Sequence, residues 1–183
     1  MQFTKMSTEH WKQIKEIYME AFPKRERKPF FSLCRSVNQG TASIFTAVEE
    51  NTVLGFIVAI PYRDMVMVDY LAVSNKIRSK GTGSFILQNL CDFFSGKKIV
   101  LLIEKLDEQS KNQTQRIARR KFYLKNGFTS SGIFIHGAGG EMEVLHYGSL
   151  ITSEEYLSLQ KHALGKLFFR LSGIKIINSQ KSR

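Results

Sequence analysis

Apolar positions near the start of the chain recur every three to four residues. This spacing predicts an amphipathic helix over residues 8–22, which Pro23 follows. A charged stretch then leads to a second short helix, predicted near residues 29–38. Each pattern leaves one apolar stripe, and such a stripe is usually buried against a core.

The middle of the chain changes to short apolar runs separated by turn residues, which is typical of strands. Helical spacing returns three times among these runs. In chain order we predict strands over residues 44–48, 53–60 and 65–73, a helix over 81–95, a strand over 99–104, a helix over 112–126, strands over 128–135 and 141–147, and a helix over 153–169. Strands that alternate with helices in this way favour a mixed sheet covered by helices on both faces.

Length and composition indicate a single globular domain. The chain has 183 residues, of which 43% are hydrophobic and 23% charged. No apolar run approaches the length of a membrane span, and the two cysteines suit a reducing compartment. The four histidines and two cysteines show no metal-ligand spacing. We therefore expect a soluble cytoplasmic protein with no transmembrane segment and no bound metal.

The charge is strongly positive and clustered. With 27 basic and 16 acidic residues the formal net charge is +11, which attracts polyanions. Two segments, 111–125 and 161–183, contain several basic residues and no acidic ones. No RNA-binding or helix-turn-helix pattern accompanies them, so specific nucleic-acid binding is not expected. The basic tail alternates with apolar residues, which suits packing on its own domain, on a second copy or on an anionic membrane.

A glycine-bearing turn joins the predicted strand 65–73 to the predicted helix 81–95. Free N–H groups and the helix dipole make such a helix start an anion site, and glycines admit a phosphate without steric hindrance. The spacing matches neither a P-loop nor a dinucleotide fingerprint. The residues of this turn are Arg78, Ser79, Lys80, Gly81, Thr82, Gly83 and Ser84.

Two motifs at this point closely resemble the GNAT superfamily of N-acetyltransferases. The first is the pyrophosphate loop Arg/Gln-x-x-Gly-x-Gly/Ala after a strand, matched here by Leu71-Ala72-Val73 and Arg78-Ser79-Lys80-Gly81-Thr82-Gly83. The second is Tyr-x-x-x-Gly-Phe at the end of a helix, matched here by Tyr123-Leu124-Lys125-Asn126-Gly127-Phe128. The motifs occur in the family's order, with the predicted strand 99–104 between them.

The resemblance implies a fold and a cosubstrate. The fold would be a GNAT-like mixed, mostly antiparallel sheet of about seven strands flanked by helices on both faces. Residues 1–150 would form the acetyltransferase domain, and 151–183 a C-terminal helix and basic tail. The cosubstrate would be acetyl-coenzyme A, with the pantetheine arm along Leu71, Ala72 and Val73 and the pyrophosphate on residues 78–84.

The resemblance also implies that Tyr123 stands near the thioester sulfur. One departure concerns the same helix: where many members carry Asn and Ala, this chain has Arg116 and Arg119. At helical spacing both arginines share a face with Tyr123. They either donate to coenzyme phosphate or are solvated.

Transfer of an acetyl group to an amine requires an oxyanion donor, a general acid and a proton acceptor. The backbone N–H of Val73 suits the oxyanion, and the hydroxyl of Tyr123 suits protonation of the thiolate. Alternatively, Tyr123 donates a structural hydrogen bond to the sulfur without transferring its proton. The candidate proton acceptors are Glu104, at the end of a predicted strand, and Asp69, which shares a strand face with Leu71. Either carboxylate can instead be an ion-pair partner, with water or an already neutral amine sufficing.

These residues favour an N-acetyltransferase that acts on a primary amine of a small molecule or peptide, as a monomer or homodimer. The alternative is a non-catalytic acyl-coenzyme A binder that senses or scaffolds. A third class, a nucleic-acid-associated protein, rests only on the net charge. The sequence does not identify the acceptor.

Overall fold

A computed structural model describes residues 1–24, 27–77, 81–137 and 140–177. The described residues form eight strands, mostly antiparallel, together with helices, which confirms the predicted mixed α/β class. The prediction of about seven strands is one short. The fold divides into two units, Met1–Pro61 with Val68–Ser95 and Tyr62–Met67 with Gly96–Arg183.

The first unit contains four neighbouring strands in the order β1-β2-β3-β4. Its elements are β1 (Gln2–Lys5), a 3₁₀ turn (Thr8–His10), α1 (Trp11–Ala21), α2 (Phe30–Asn38), β2 (Ser43–Glu49), β3 (Thr52–Tyr62), β4 (Met65–Val73), a 3₁₀ turn (Asn75–Ile77) and α3 (Thr82–Phe93). Residues Tyr62–Met67, which include the last residue of β3 and the first three of β4, belong to the second unit. Between β2 and β3, Glu50 and Asn51 both have positive φ, as a two-residue hairpin turn requires.

An aromatic cluster forms part of the core of the first unit. Tyr18 of α1 is fully buried, and its ring lies 5.0 Å from that of Tyr70 on β4 and 5.6 Å from that of Phe30 on α2. Phe22, at the end of α1, also contacts Tyr70 at 4.9 Å. These contacts pack α1 against β4 and α2 against α1, because such rings bury large apolar areas.

The second unit contains four strands in the order β5-β7-β6-β8, and all three pairings are antiparallel. Its elements are β5 (Lys98–Glu104), α4 (Gln113–Lys125), β6 (Thr129–Gly137), β7 (Gly140–Tyr147), α5 (Ser153–Leu164), α6 (Lys166–Leu171) and β8 (Lys175–Ile177). Helix α5 begins with a capping box, in which Thr152 and Glu155 each accept a bond from the other's backbone N–H. Glu155 also binds Lys98 of β5 at 2.5 Å.

Three features of the elements differ from the sequence prediction. The prediction of one continuous helix over 153–169 is wrong, because Gly165 at φ 75° and ψ 155° separates α5 from α6. Strand β1 was not predicted, and neither was β8, which pairs with β6 over only three residues. Such short strands carry little alternation of their own, so tertiary pairing decides them.

Two kinds of feature are absent from the described residues. No helix among them is long and apolar enough to cross a bilayer. They contain no group of three or more His, Cys, Asp or Glu side chains that could hold a metal ion. Both cysteines are free thiols, and burial raises the pKa of Cys91 to about 12.

Candidate active site

The second half of β4 presents the first candidate surface. Asp69, Leu71 and Val73 are partly exposed, whereas the residues that alternate with them are buried. This confirms that the three side chains share one strand face, as period-two alternation predicted. Ala72 lies on the opposite, buried face.

Strand β3 approaches the end of β4 closely at Gly55. A Cβ at this position would lie 2.6 Å from the carbonyl oxygen of Ala72 and 2.9 Å from Cδ1 of Ile86 on α3. The adjacent N–H of Ser74 donates to the carbonyl oxygen of Leu54 at 2.9 Å. Glycine is therefore required for β3, β4 and α3 to meet here. Sequence reasoning missed Gly55, since a single glycine within an apolar strand indicates close approach without naming the partner.

The predicted phosphate turn is described in part. Arg78, Ser79 and Lys80 lie outside the described residues. Before them, Glu20 of α1 accepts a 2.8 Å hydrogen bond from the N–H of Asn75, which anchors the chain directly after β4. After them, Gly81 adopts a left-handed conformation, φ 74°, as the residue preceding α3. Among the described residues nothing lies within 4 Å of its missing Cβ, so the backbone is open on that side.

The first turn of α3 has the polar groups of an anion site. The residue before this helix, Gly81, has no side chain to cap it, and the first N–H groups of any helix lack intrahelical partners. Thr82 is only 2% exposed, and within the described part of the chain its Oγ1 has no hydrogen-bond partner. Gly83 and Ser84 are partly exposed beside it. A buried orphan hydroxyl beside free N–H groups fits an anionic ligand, because unsatisfied buried polar groups are costly.

Asp69 has a cationic partner in the same unit. The Nζ of Lys28 lies 2.7 Å from Oδ2 of Asp69, and the backbone N–H of Lys28 donates to the hydroxyl of Tyr70 at 3.0 Å. The hydroxyl of Tyr18 donates in turn to the carbonyl oxygen of Lys28. Burial by itself would lower the pKa of Lys28, but the neighbouring carboxylate raises it above its ordinary value. Lys28 was not singled out from sequence, since nothing local links it to a residue 41 positions later.

Tyr123 lies in the second unit, on the last turn of α4. Its ring packs edge-on against Phe122 at 5.1 Å and Phe128 at 5.9 Å. Burial raises the pKa of the Tyr123 hydroxyl to about 12, while the positive charge of Arg119 opposes this shift. The hydroxyl is therefore protonated throughout the neutral pH range.

Glu104 lies at the end of β5 in a charged network within the same unit. Its Oε2 accepts from Nη1 of Arg119 at 2.8 Å, and its Oε1 lies 3.5 Å from Nε of Arg116. The amide of Asn112 donates to Oε1 at 2.9 Å and accepts from Arg116 at 2.9 Å. A second nitrogen of Arg116 donates to the carbonyl oxygen of Lys105. Both arginines thus have protein partners, and Asn112 is a member that sequence reasoning missed.

The structure therefore groups the sequence candidates into two sets. The first unit brings together the β4 face with Asp69 and the start of α3. The second unit brings together Tyr123 and the Glu104 network through α4 and β5. Each set combines local elements that the sequence predicted with partners that only the tertiary structure reveals.

Comparison with known proteins gives one family match. Residues 40–130 match the family model described as the acetyltransferase (GNAT) domain. This segment contains the β4 face, the phosphate turn and the Tyr123 helix. No curated protein matches the chain.

The solved structures with similar folds have low sequence identity to this chain. A Bacteroides thetaiotaomicron protein described as a GNAT-family acetyltransferase superposes with a TM-score of 0.74 at 21% identity, covering 92% of this chain and 99% of that one. An aminoglycoside 6′-N-acetyltransferase solved with coenzyme A gives 0.64 at 17%, covering 83% and 98%. The ribosomal-protein-S18-alanine N-acetyltransferase of Escherichia coli gives 0.62 at 16%, covering 84% and 96%. At these identities the likeness establishes the fold.

Proposed function

Because the chain belongs to the GNAT acetyltransferase family, we propose that it transfers the acetyl group of acetyl-coenzyme A to a primary amine of a small molecule or peptide. The observation that carries the proposal is the start of α3, where left-handed Gly81 precedes the buried, unpartnered hydroxyl of Thr82. Similar structures include enzymes named for aminoglycoside and ribosomal-protein acceptors, and both acceptor classes carry amines. Their variety leaves the acceptor of this chain open.

The first unit would bind the coenzyme. Backbone groups of Leu71 and Val73 would pair with the pantetheine arm on the partly exposed face of β4, with Ala72 on the buried face. The first turn of α3, from Thr82 to Ser84, would hold the pyrophosphate through its free N–H groups and the Thr82 hydroxyl. Residues 78–80 would add one arginine and one lysine by sequence.

We propose that Arg119 and Arg116 donate to a coenzyme phosphate. A guanidinium has five N–H donors, and Arg119 donates one of them to Glu104. Its side chain is 43% exposed, which makes it accessible to an anion. Arg116 is less accessible at 19%, and its bonds to Asn112 and Lys105 hold it in place.

In the reaction a C–N bond forms, the thioester C–S bond breaks, and one proton moves from the amine to the departing thiolate. We propose that the Val73 N–H stabilises the developing oxyanion and that Tyr123 donates the proton to sulfur. Glu104 or Asp69 would accept the amine proton, directly or through water. Each of these carboxylates is ion-paired, so each must act while its cation stays in place.

Calorimetry tests the coenzyme site. We expect acetyl-coenzyme A to bind in the micromolar range, and ATP and NAD to bind far more weakly. Gly81→Glu should abolish binding, because it places a side chain and a negative charge at the anion site. Gly132→Glu is the matched control, since Gly132 has the same φ of 74° and open space around its missing Cβ. Absence of acetyl-coenzyme A binding to the wild type would refute the proposal.

An acceptor screen tests the catalytic part. Primary amines of several classes, including peptides with free N-termini, would be incubated with acetyl-coenzyme A while release of free coenzyme A is followed. Turnover above the hydrolysis background with at least one amine is expected. Tight coenzyme binding without turnover on any amine would favour the non-catalytic sensor or scaffold instead.

A further inference from the structure

Helix α6 presents an apolar surface to solvent. After the break at Gly165, the side chains of Leu167, Phe168 and Leu171 are 67%, 68% and 73% exposed. Phe169, between them in sequence, is only half-buried. Three large apolar side chains exposed together on one short helix constitute a patch of the kind that marks an interaction site.

The apolar and basic residues of α6 occupy adjacent sectors. At about 100° per residue, Leu167, Leu171 and Phe168 fall within an arc of roughly 100°. On the Leu167 side of that arc, Arg170 follows at about 60° and Lys166 at about 100°, and both are exposed. The helix therefore has an apolar face with a cationic edge.

The segment of the chain that contains α6 carries charge of a single sign. No acidic residue occurs anywhere from position 161 to 183, where the sequence has six basic ones. Of these, the described Lys161, Lys166, Arg170 and Lys175 are all exposed. The acids of α5, Glu154 and Glu155, lie in its first turn, about 15 Å from its other end at 1.5 Å per residue.

We propose that α6 docks this protein on the surface of an anionic lipid bilayer. Leu167, Phe168 and Leu171 would enter the boundary between headgroups and acyl chains, as the apolar face of an interfacial helix does. Lys166 and Arg170 would contact lipid phosphates, with Lys161 and Lys175 adding attraction at longer range. This inference is independent of the proposed acetyl transfer.

Two other occupants fit the surface less well. A second copy of the chain in a two-fold dimer would place the same segment, with six basic residues and no acid, against itself. A nucleic acid would satisfy the basic residues but leave the three apolar side chains in water. A bilayer with anionic headgroups satisfies both sectors of the helix.

The test is co-sedimentation of the full chain with vesicles, in which the amount of protein in the pellet is measured. Vesicles of phosphatidylglycerol and phosphatidylcholine in equal parts should bind the protein, and vesicles of phosphatidylcholine alone should bind it at least about tenfold more weakly. Binding should weaken at high salt, since charge screening shortens the attraction. Because the helix is short, the binding should be reversible.

Two sets of variants separate the two sectors of α6. The triple change Leu167→Ser, Phe168→Ser and Leu171→Ser removes the apolar face, and Lys166→Glu with Arg170→Glu reverses the cationic edge. Each set should weaken binding to anionic vesicles by at least about tenfold. The controls are Phe31→Ser, which changes an equally exposed aromatic residue of α2, and Lys121→Glu with Lys125→Glu on α4. Circular dichroism would check that every variant is folded.

Several results would overturn the proposal. No binding to anionic vesicles, or equal binding to neutral ones, would remove the bilayer as the occupant. Loss of binding with the charge variants but not with the apolar triple variant would reduce it to general attraction of polyanions. A wild-type dimer in analytical ultracentrifugation that the apolar triple variant dissociates would assign the face to self-association.

Discussion

At the residue scale, Tyr123 is subject to two opposing influences. Desolvation favours its neutral hydroxyl, and the charge of Arg119, one helical turn earlier, favours the ionised form. Desolvation is the larger, so the pKa lies near 12. The proton is therefore always present for donation, although its transfer to a thiolate of lower basicity is costly. Arg119 reduces that cost, and Glu104 holds Arg119 in place at 2.8 Å.

We predict that Tyr123→Phe retains acetyl-coenzyme A binding but lowers turnover by roughly ten- to a thousandfold, the range of general acid catalysis. Since its pKa is raised to about 12, Tyr123 should cause no loss of wild-type activity as pH rises to about 11. Tyr147→Phe is the control, because the Tyr147 ring packs on Phe128 at 5.6 Å, and Phe128 is also a neighbour of Tyr123. Unchanged turnover in Tyr123→Phe would leave this tyrosine a packing residue.

The two carboxylates make a second prediction at this scale. If Glu104 is the proton acceptor, Glu104→Gln should lose turnover most at low pH, where the amine is protonated, and recover partly as pH rises. Asp69→Asn should alter acceptor affinity or stability more than this profile, because it removes the partner of Lys28. Glu141→Gln controls for loss of an ion pair, since Glu141 pairs with Lys105 at 2.8 Å. Parallel pH profiles would eliminate both carboxylates.

At the element scale, the first candidate surface depends on how closely β3, β4 and α3 approach one another. Gly55 allows the backbone of Ala72 and Val73 to lie within the space a side chain would occupy. The bond from Ser74 to Leu54 then ends the strand where the 3₁₀ turn begins. The position of the proposed pantetheine-binding face is thus set by its neighbouring strand.

We predict that Gly55→Ala destabilises the protein by about 1–3 kcal/mol, the usual cost of overpacking a core. The added methyl group must displace the Ala72 carbonyl or Ile86, so acetyl-coenzyme A affinity should fall by at least about tenfold. Thermal unfolding and calorimetry measure the two effects. Gly137→Ala is the control, because among the described residues its Cβ would meet Ile174 alone, at 3.4 Å. Wild-type affinity in Gly55→Ala would show that β4 tolerates the shift.

At the scale of the whole molecule, the net charge of +11 is distributed unevenly. Part of it is neutralised internally, as in the pairs of Arg120 with buried Glu143 and of Lys98 with Glu155. The tail beyond residue 160 has no acidic residues. The molecule therefore combines internally paired charges with an excess of positive charge in its tail, and this positive potential favours anionic ligands and surfaces.

We predict that saturating acetyl-coenzyme A raises the unfolding temperature of the whole protein. At a hundredfold excess over Kd, binding to the native state contributes about 2.7 kcal/mol. For a chain of this size that corresponds to a shift of about 5–10 °C. Differential scanning fluorimetry measures it, with ATP and NAD as ligand controls. A shift as large with either nucleotide would contradict a site selective for coenzyme A.

The sequence by itself determined the mixed α/β class, the order of most elements and the location of both family motifs. These follow from local periodicity and turn residues, which are readable within a window of about fifteen positions. It also correctly predicted that Asp69, Leu71 and Val73 share a face, because strand alternation needs no partner. The roles of Tyr123, Glu104 and Asp69 in catalysis stay predictions.

Only the tertiary structure decided the partners of these residues. Two contacts join positions that no local pattern connects: that of Gly55 with Ala72 and that of Lys28 with Asp69. The burial of the Thr82 hydroxyl likewise depends on the tertiary structure. The same holds for the short strands β1 and β8, which exist through pairing with β2 and β6. Even the break at Gly165 required it, since glycine lowers helix propensity by only about 1 kcal/mol and does not by itself end a helix.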